Sequence, residues 1–330
     1  MTTFAASTTA FDPSRAILRP EPPLPLFHIQ QTMFLEPLVS QGEILPETSL
    51  QVITIDGQPY AFLTRELIMF DVAQFDHPKD PWIVTFCPIC NAGACFSSRI
   101  GEELFHFALG GIYNAMAIIR DKETGSYWDH IHGRAMYGPS LGKQLPFMGV
   151  LRHLIARDAL QEFPTIVIAR APLTDEHRAT MAESEEFRTA AQPTWSPRLT
   201  NTLVHEDNRL PRYDMGLGVW LETPQRVARY YSILTINAAD NAVIDTIEGR
   251  SLLVYFDLET GIPDAFFTEA TSFKWIGEQL HLDNGVIVAE GRVRDKTGKG
   301  VRVERPLQLF QRWYGFAAMF PNCTIYSKNQ

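Results

Sequence analysis

LQVITIDGQPYAFL, residues 50–63, is the stretch that predicts the character of the fold. Residues 50–55 and 60–63 are mostly aliphatic and aromatic, and Asp56-Gly57 lies between them. Asp-Gly favours the positive φ angles of a tight hairpin turn, so the segment predicts two antiparallel strands. Runs of the same kind predict further strands at residues 82–86, 94–98, 104–108, 115–120 and 126–131.

Helical patterns are fewer and lie between the strand signals. They predict helices over residues 64–75, 151–163 and 174–191. The third is rich in Glu, Ala and Arg, and Thr174 or Asp175 offers an N-cap, which is typical of a helix on the surface.

The residues on the two sides of a polar, Pro-containing segment resemble each other in the same order along the chain. We therefore predict a β-rich α+β protein made of two pseudo-repeated antiparallel β subdomains with peripheral helices. The matching landmarks are Val84, Phe86, Phe96 and Gly133-Arg134 in the first copy and Val254, Phe256, Phe266 and Gly291-Arg292 in the second. The predicted parts are an extended N-terminal arm at 1–26, a first repeat at 27–191, a linker at 192–214 and a second, degenerate repeat at 215–330.

Composition excludes several classes of function. The net charge is −9 and Lys and Arg form no cluster, which argues against a nucleic-acid partner. No apolar run approaches the roughly 18 residues of a membrane helix, so no membrane partner is expected. The first residues lack the basic and apolar regions of a secretion signal, and we expect a cytoplasmic protein.

Five prolines between residues 12 and 26 predict the extended arm.

The cysteines of the first repeat distinguish it from the second. Cys87 and Cys90 form a C-x-x-C motif and Cys95 follows, whereas the second copy has Asp257, Thr260 and Ala265 at these positions. Two thiolates in such a turn can bind one metal ion or perform dithiol chemistry. Strand-like residues with an early glycine follow Cys90, which argues against a glutaredoxin-like helix. Chemistry is therefore expected in the first repeat, although a cysteine is more often a small buried apolar residue.

Histidines of the same repeat offer further metal ligands. His130 and His132 form an H-x-H motif, and on a strand both imidazoles would lie on one face. Together with Cys87 and Cys90 they would complete a four-ligand site for zinc or copper, whereas iron would call for a carboxylate such as Asp129. His106 is a further candidate ligand. The simpler alternative is that these histidines are polar surface residues.

The remaining candidate residues lie around the predicted hairpins. We predict Tyr113, Asp121, Asp129 and His130 as catalytic residues and Asn114, Trp128 and Arg134 as substrate-binding residues. Turn formation is the alternative role for Tyr113-Asn114 and for Asp121 in the turn 121–125. The sequence contains no phosphate-binding loop, no G-x-S-x-G and no H-E-x-x-H.

These motifs in their order resemble the family known as domain of unknown function 3179. The resemblance rests on TFCPIC (85–90), FALGG (107–111), Tyr113-Asn114, DKETGS (121–126) with Trp128, and Gly133-Arg-Ala135 with Gly138. It implies a fold and a place for the site, and no established activity. The chain has Phe70-Asp71 where the family often has His-Glu, and it has Asp-His-Ile-His after Trp128.

Three hypotheses about function follow. The leading one is a cytoplasmic metal-dependent enzyme, an oxidoreductase, that acts on a small organic molecule with zinc, copper or iron. The second is a metal-free lyase, isomerase or cyclase with Asp129 or His130 as general acid or base in an aromatic-lined pocket. The third is a non-catalytic binding protein whose cysteines are structural. The oligomeric state is left open, a homo-oligomer included.

Overall fold

The computed structural model describes residues 11–21, 26–175, 177, 179, 197–204, 206–222 and 227–327. A 3-10 turn spans Pro13–Arg15, and the helices are α1 (Leu35–Ser40), α2 (Thr64–Phe70), α3 (Ala156–Glu162), α4 (Pro197–Thr200), α5 (Ile233–Ala238) and α6 (Trp313–Met319). The strands are β1 (Ile17–Leu18), β2 (Phe27–His28), β3 (Thr32–Phe34), β4 (Ser49–Ile55), β5 (Gln58–Leu63), β6 (Val72–Phe75), β7 (Trp82–Cys87), β8 (Ala92–Ser97), β9 (Arg99–Ile100), β10 (Glu103–Leu104), β11 (Phe107–Tyr113), β12 (Met116–Asp121), β13 (Tyr127–Asp129), β14 (Ala135–Tyr137), β15 (Phe147–Val150), β16 (Arg152–Ile155), β17 (Val167–Ala169), β18 (Met215–Trp220), β19 (Ala228–Ser232), β20 (Ala242–Ile247), β21 (Arg250–Phe256), β22 (Pro263–Phe267), β23 (Phe273–Ile276), β24 (Gln279–Leu282), β25 (Ile287–Ala289), β26 (Arg292–Arg294), β27 (Leu307–Arg312) and β28 (Thr324–Ile325).

The first of two compact units comprises residues 1–34, 51–151 and 167–207. One five-stranded sheet has the order β1-β11-β12-β13-β14, a second has the order β15-β8-β7-β6-β2, and β4, β5, β17 and β3 lie side by side. Side chains on one face of the second sheet, among them Trp82, Val84 and Phe86, are buried in one apolar cluster with α2. Burial on this scale is the main source of stability for such a unit.

The second unit comprises residues 35–50, 152–166 and 208–330. Its sheets have the orders β27-β18-β19-β28, β20-β21-β22 and β23-β24-β25-β26. One apolar cluster contains Leu217 and Val254, and a second contains Leu253 and Phe266. Neighbouring residues of β21 therefore face different clusters, as the period of two in a strand requires.

The β-rich class with antiparallel sheets and few helices is confirmed. The hairpin predicted from residues 50–63 is present as β4 and β5, and Asp56 and Gly57 have φ angles of 48° and 82°. The duplication and its domain boundaries remain a prediction. No helix among the described residues is long and apolar enough to cross a membrane.

The predicted helices are shorter in the structure than in the sequence pattern. The helix predicted at 64–75 ends at Phe70, because Asp71 takes the left-handed conformation and the next four residues form β6. The helix predicted at 151–163 begins only at Ala156, since the residues before it form β16. Most of the helix predicted at 174–191 lies outside the described residues.

Part of the predicted N-terminal arm belongs to a sheet of the first unit. Ile17 and Leu18 pair with Ile112 and Gly111 of β11. A Cβ atom on Gly111 would lie 2.0 Å from the carbonyl oxygen of Ile17, and the φ of Gly111 is +144°. The Gly-Gly sequence in β11 thus serves the close approach of a neighbouring strand.

Candidate functional site

The hairpin of β7 and β8 carries the C-x-x-C motif at its loop. Cys87 is the last residue of β7 and pairs with Ala92, and Cys90 lies in the loop between them. The loop closes because Asn91 takes a left-handed conformation with a φ of 64° and donates from its amide to the Cys87 carbonyl at 2.8 Å. Cys90 therefore lies in a hairpin loop and not in the first turn of a helix.

The sulfur of Cys87 accepts hydrogen bonds from two backbone amides. The amide of Cys90 lies 3.3 Å from Cys87 Sγ, and the amide of Ala117 on β12 lies at the same distance. Cys87 and Cys90 are fully buried. Amide donors aimed at a buried sulfur favour its thiolate, which is the form that binds metals and attacks electrophiles.

His130 completes a three-membered cluster with these thiols. Its Nε2 lies 3.5 Å from Cys90 Sγ, and one ligand atom from each of Cys87, Cys90 and His130 lies within 4.8 Å of the others. The imidazole is buried, with 2% of the residue exposed. The cluster lies where two sheets of the first unit meet, because Cys87 ends β7, Cys90 lies in the loop after it, and His130 follows β13.

The prediction that His130 and His132 share one face of a strand is wrong. Strand β13 ends at Asp129, whose Oδ1 accepts the amides of Ile131 and His132, both at 2.7 Å. This side-chain cap folds the segment into a turn and ends the alternation of a strand. His132 Nδ1 lies 3.2 Å from Asp129 Oδ2, and His132 is not a member of the three-ligand cluster.

The surroundings of Cys87 and His130 shift the pKa values of both groups. Burial raises the pKa of Cys87, but hydrogen bonds from Cys90 and His130, the charge of His130 and the Ala117 amide hold it well below its usual 9.0. Burial lowers the pKa of His130, but Cys87 and Asp129 together raise it above its usual 6.5. Each of these two pKa shifts favours the charged form of its own group, the thiolate of Cys87 and the imidazolium of His130.

Asp129 and Asp71 are the carboxylates near this pair. Burial raises the pKa of Asp129, but the charge and hydrogen bonds of His132 and the charge of His130 hold it far below its usual range. Asp71 is 7% exposed, and burial followed by the negative charge of Cys87 raises its pKa well above 3.8, against the opposing effect of Arg19. Asp71 was missed as a site residue, although it occupies the place where the resemblance implies a His-Glu pair.

The other predicted thiol and imidazole candidates have different surroundings. Cys95 lies on β8 in the apolar cluster of the first unit, and burial raises the pKa of its thiol. His106 Nδ1 lies 2.6 Å from Glu123 Oε1, in a partly exposed ion pair. Cys323 is buried in the second unit, where its carbonyl accepts from Arg209.

Asp121 is buried and holds the turn that follows β12. Its carboxylate accepts the amides of Thr124 and Gly125, the Thr124 hydroxyl, and the indole N–H of Trp128 at 2.7 Å. Trp128 is itself fully buried between Phe105 and Phe107. These contacts form the turn and pack the indole. Catalysis by Asp121 and substrate binding by Trp128 stay predictions.

Tyr113 and Asn114 form the end of the β11–β12 hairpin. Asn114 and Ala115 have φ angles of 52° and 55°, the signature of a type I′ turn. Asn114 Oδ1 accepts the amide of Val204 at 2.9 Å, and the Tyr113 hydroxyl accepts the amide of Asp12 at 3.1 Å. Their polar atoms thus bind other segments of the first unit.

Arg134 follows the turn that carries His130. Its carbonyl accepts the amide of Asp129 at 2.9 Å, and its backbone forms a bridge with Gln144. The residue is half-buried. The structure thus brings Cys87, Cys90 and His130 into one cluster and places Asp129 beside it.

The chain belongs to the family described as "Protein of unknown function (DUF3179)", whose family model matches residues 28–323. The resemblance inferred from the motifs is therefore confirmed. No curated protein and no solved structure matches the chain at a significant level.

Proposed function

We propose that this chain is a metal-dependent enzyme that acts on a small organic molecule, with the ion bound by Cys87, Cys90 and His130. The observation that carries the proposal is the buried cluster whose three ligand atoms lie within 4.8 Å of one another. Isolated charges are costly to bury, and a bound cation would offset the charge of two thiolates. The predicted fourth ligand, His132, is not part of this proposal because it lies with Asp129.

Two thiolates and an imidazole suit zinc best, and they also suit copper or iron. Three protein ligands leave the fourth tetrahedral position for water or substrate, which is the arrangement of catalytic rather than structural zinc sites. An ion held in this way would polarise a substrate oxygen or lower the pKa of a bound water. An oxidoreductase would in addition need a redox-active ion or a co-substrate that accepts electrons.

Metal analysis of protein purified without chelator tests the proposal. We expect one equivalent of metal per chain, and we expect Cys87→Ser, Cys90→Ser and His130→Ala each to lose most of it. Cys95→Ala is the matched control, because it removes an equally buried thiol from the apolar cluster and should retain the metal. A wild-type protein that stays metal-free after incubation with micromolar zinc would contradict the proposal.

A metal-free enzyme is the second candidate, and the Cys87–His130 pair supports it. A thiol that accepts two amide hydrogen bonds and lies beside an imidazole resembles an activated nucleophile with its acid–base partner. In that case a small alkylating reagent would modify Cys87 faster than Cys95, and added zinc would not slow the reaction. Zinc protection of Cys87 would favour the metal centre.

A further inference from the structure

We propose that Thr85 is a positioning residue that fixes His130 at the distance from the cysteines that metal binding requires. The inference rests on the metal centre proposed above. Thr85 lies on β7 two residues before Cys87, so the two side chains lie on the same face of the sheet. Thr85 is fully buried.

The hydroxyl of Thr85 joins the two sheets that contribute to the cluster. Its Oγ1 lies 2.6 Å from the carbonyl oxygen of His130 and 3.2 Å from that of Ala94, and it accepts the amide of Ala94 at 3.3 Å. A hydroxyl has one hydrogen to donate, and the shorter distance assigns it to His130. Thr85 thus ties the strand that bears Cys87 to the backbone of the turn that bears His130.

The hydroxyl of Thr85 has a role beyond strand formation. Valine has nearly the same shape and is also a good strand former, so packing alone would accept it in a fully buried strand. A buried hydroxyl stabilises the chain only through its hydrogen bonds. The bond to His130 is the one that reaches from the cysteine hairpin to the third ligand.

The test compares Thr85→Val and Thr85→Ser for zinc affinity, measured by competition with a chromophoric chelator. We expect Thr85→Val to bind roughly 10–100-fold more weakly, the range observed when a group that orients a metal ligand is removed. Thr85→Ser keeps the hydroxyl and should stay within a few-fold of wild type. Ser126→Ala is the control, because it removes a buried hydroxyl that accepts the amide of Ser140 in the same unit. Thr85→Ala replaces Thr85→Val if that variant does not fold.

A second readout needs no metal. In the NMR spectrum of the metal-free protein, we expect the His130 ring signals to shift in Thr85→Val and to keep their positions in Thr85→Ser and Ser126→Ala. Wild-type zinc affinity in Thr85→Val would overturn the positioning role and leave the metal centre standing. If wild type binds no zinc, the proposed metal centre is wrong. If the His130 signals are unchanged in Thr85→Val, the proposal that Thr85 positions His130 is wrong, whether or not zinc binds.

Discussion

Replacing Asp121 with alanine tests whether its carboxylate has a structural role or a catalytic one. The change removes the acceptor of the Trp128 indole N–H, which is fully buried, at a cost of about 1–3 kcal/mol. The amide of Thr124 loses its acceptor as well, at about 1 kcal/mol because it is only partly buried, whereas the amide of Gly125 keeps the backbone carbonyl of residue 121 as an acceptor at 3.2 Å. We therefore expect the free energy of unfolding of the first unit to fall by about 2–4 kcal/mol.

Urea denaturation followed by tryptophan fluorescence measures this loss, because Trp128 is part of the network. Asp80→Ala is the matched control: its side chain is 74% exposed, and we expect a change within about 0.5 kcal/mol. Folded Asp121→Ala should keep its metal, since Asp121 is not in the ligand cluster. A loss of stability below about 1 kcal/mol would refute the structural reasoning.

Two further predictions concern backbone space and pH. Gly111→Ala should displace Ile17 from the sheet edge, and we expect faster amide hydrogen exchange at residues 17–18. Gly101→Ala is the control: Gly101 also has a positive φ, but its surroundings are open, so the exchange at residues 17–18 should stay unchanged. Partial burial raises the pKa of Asp264, but Arg305 at 3.0 Å contributes most to holding that pKa below 3.8. A lowered pKa gives stability above about pH 4 that is lost as the pH falls through the folded pKa, so Asp264→Asn should flatten the acid side of the stability curve. If the free energy of unfolding of Asp264→Asn falls at acid pH as steeply as that of wild type, the role given to Asp264 is wrong.

Local chemistry explains which strands could be predicted from the sequence. Asp56-Gly57 determines its hairpin through two positive φ angles, and the alternating residues around it need no distant partner. The end of α2 could not be predicted in the same way. Residues 72–75 have helical as well as strand character, and pairing of Val72 with Thr85 selects the strand. Tertiary pairing overrode the helical pattern there.

The candidate site was predictable in its residue types and only partly in its geometry. The C-x-x-C spacing brings Cys87 and Cys90 together through one loop, which is local information. The position of His130 depends on a turn capped by Asp129, and an H-x-H motif alone does not distinguish that turn from a strand. Asp71 reaches the cluster only through pairing between strands, so its proximity to Cys87 has no signal in local spacing.

The buried carboxyl groups of Asp121 and Asp71 in the first unit contribute differently to stability. The carboxylate oxygens of Asp121 accept hydrogen bonds from four donors, and these bonds offset the free-energy cost of burying the carboxylate. Asp71 is buried, and burial followed by the negative charge of Cys87 raises its pKa, so both effects disfavour its carboxylate. Groups whose pKa values are shifted by burial and by a specific charged neighbour concentrate at functional sites. A cation bound between the thiolates would offset the charge of Cys87, so metal binding should stabilise the first unit and lower the pKa of Asp71, while burial still holds that pKa above its ordinary value.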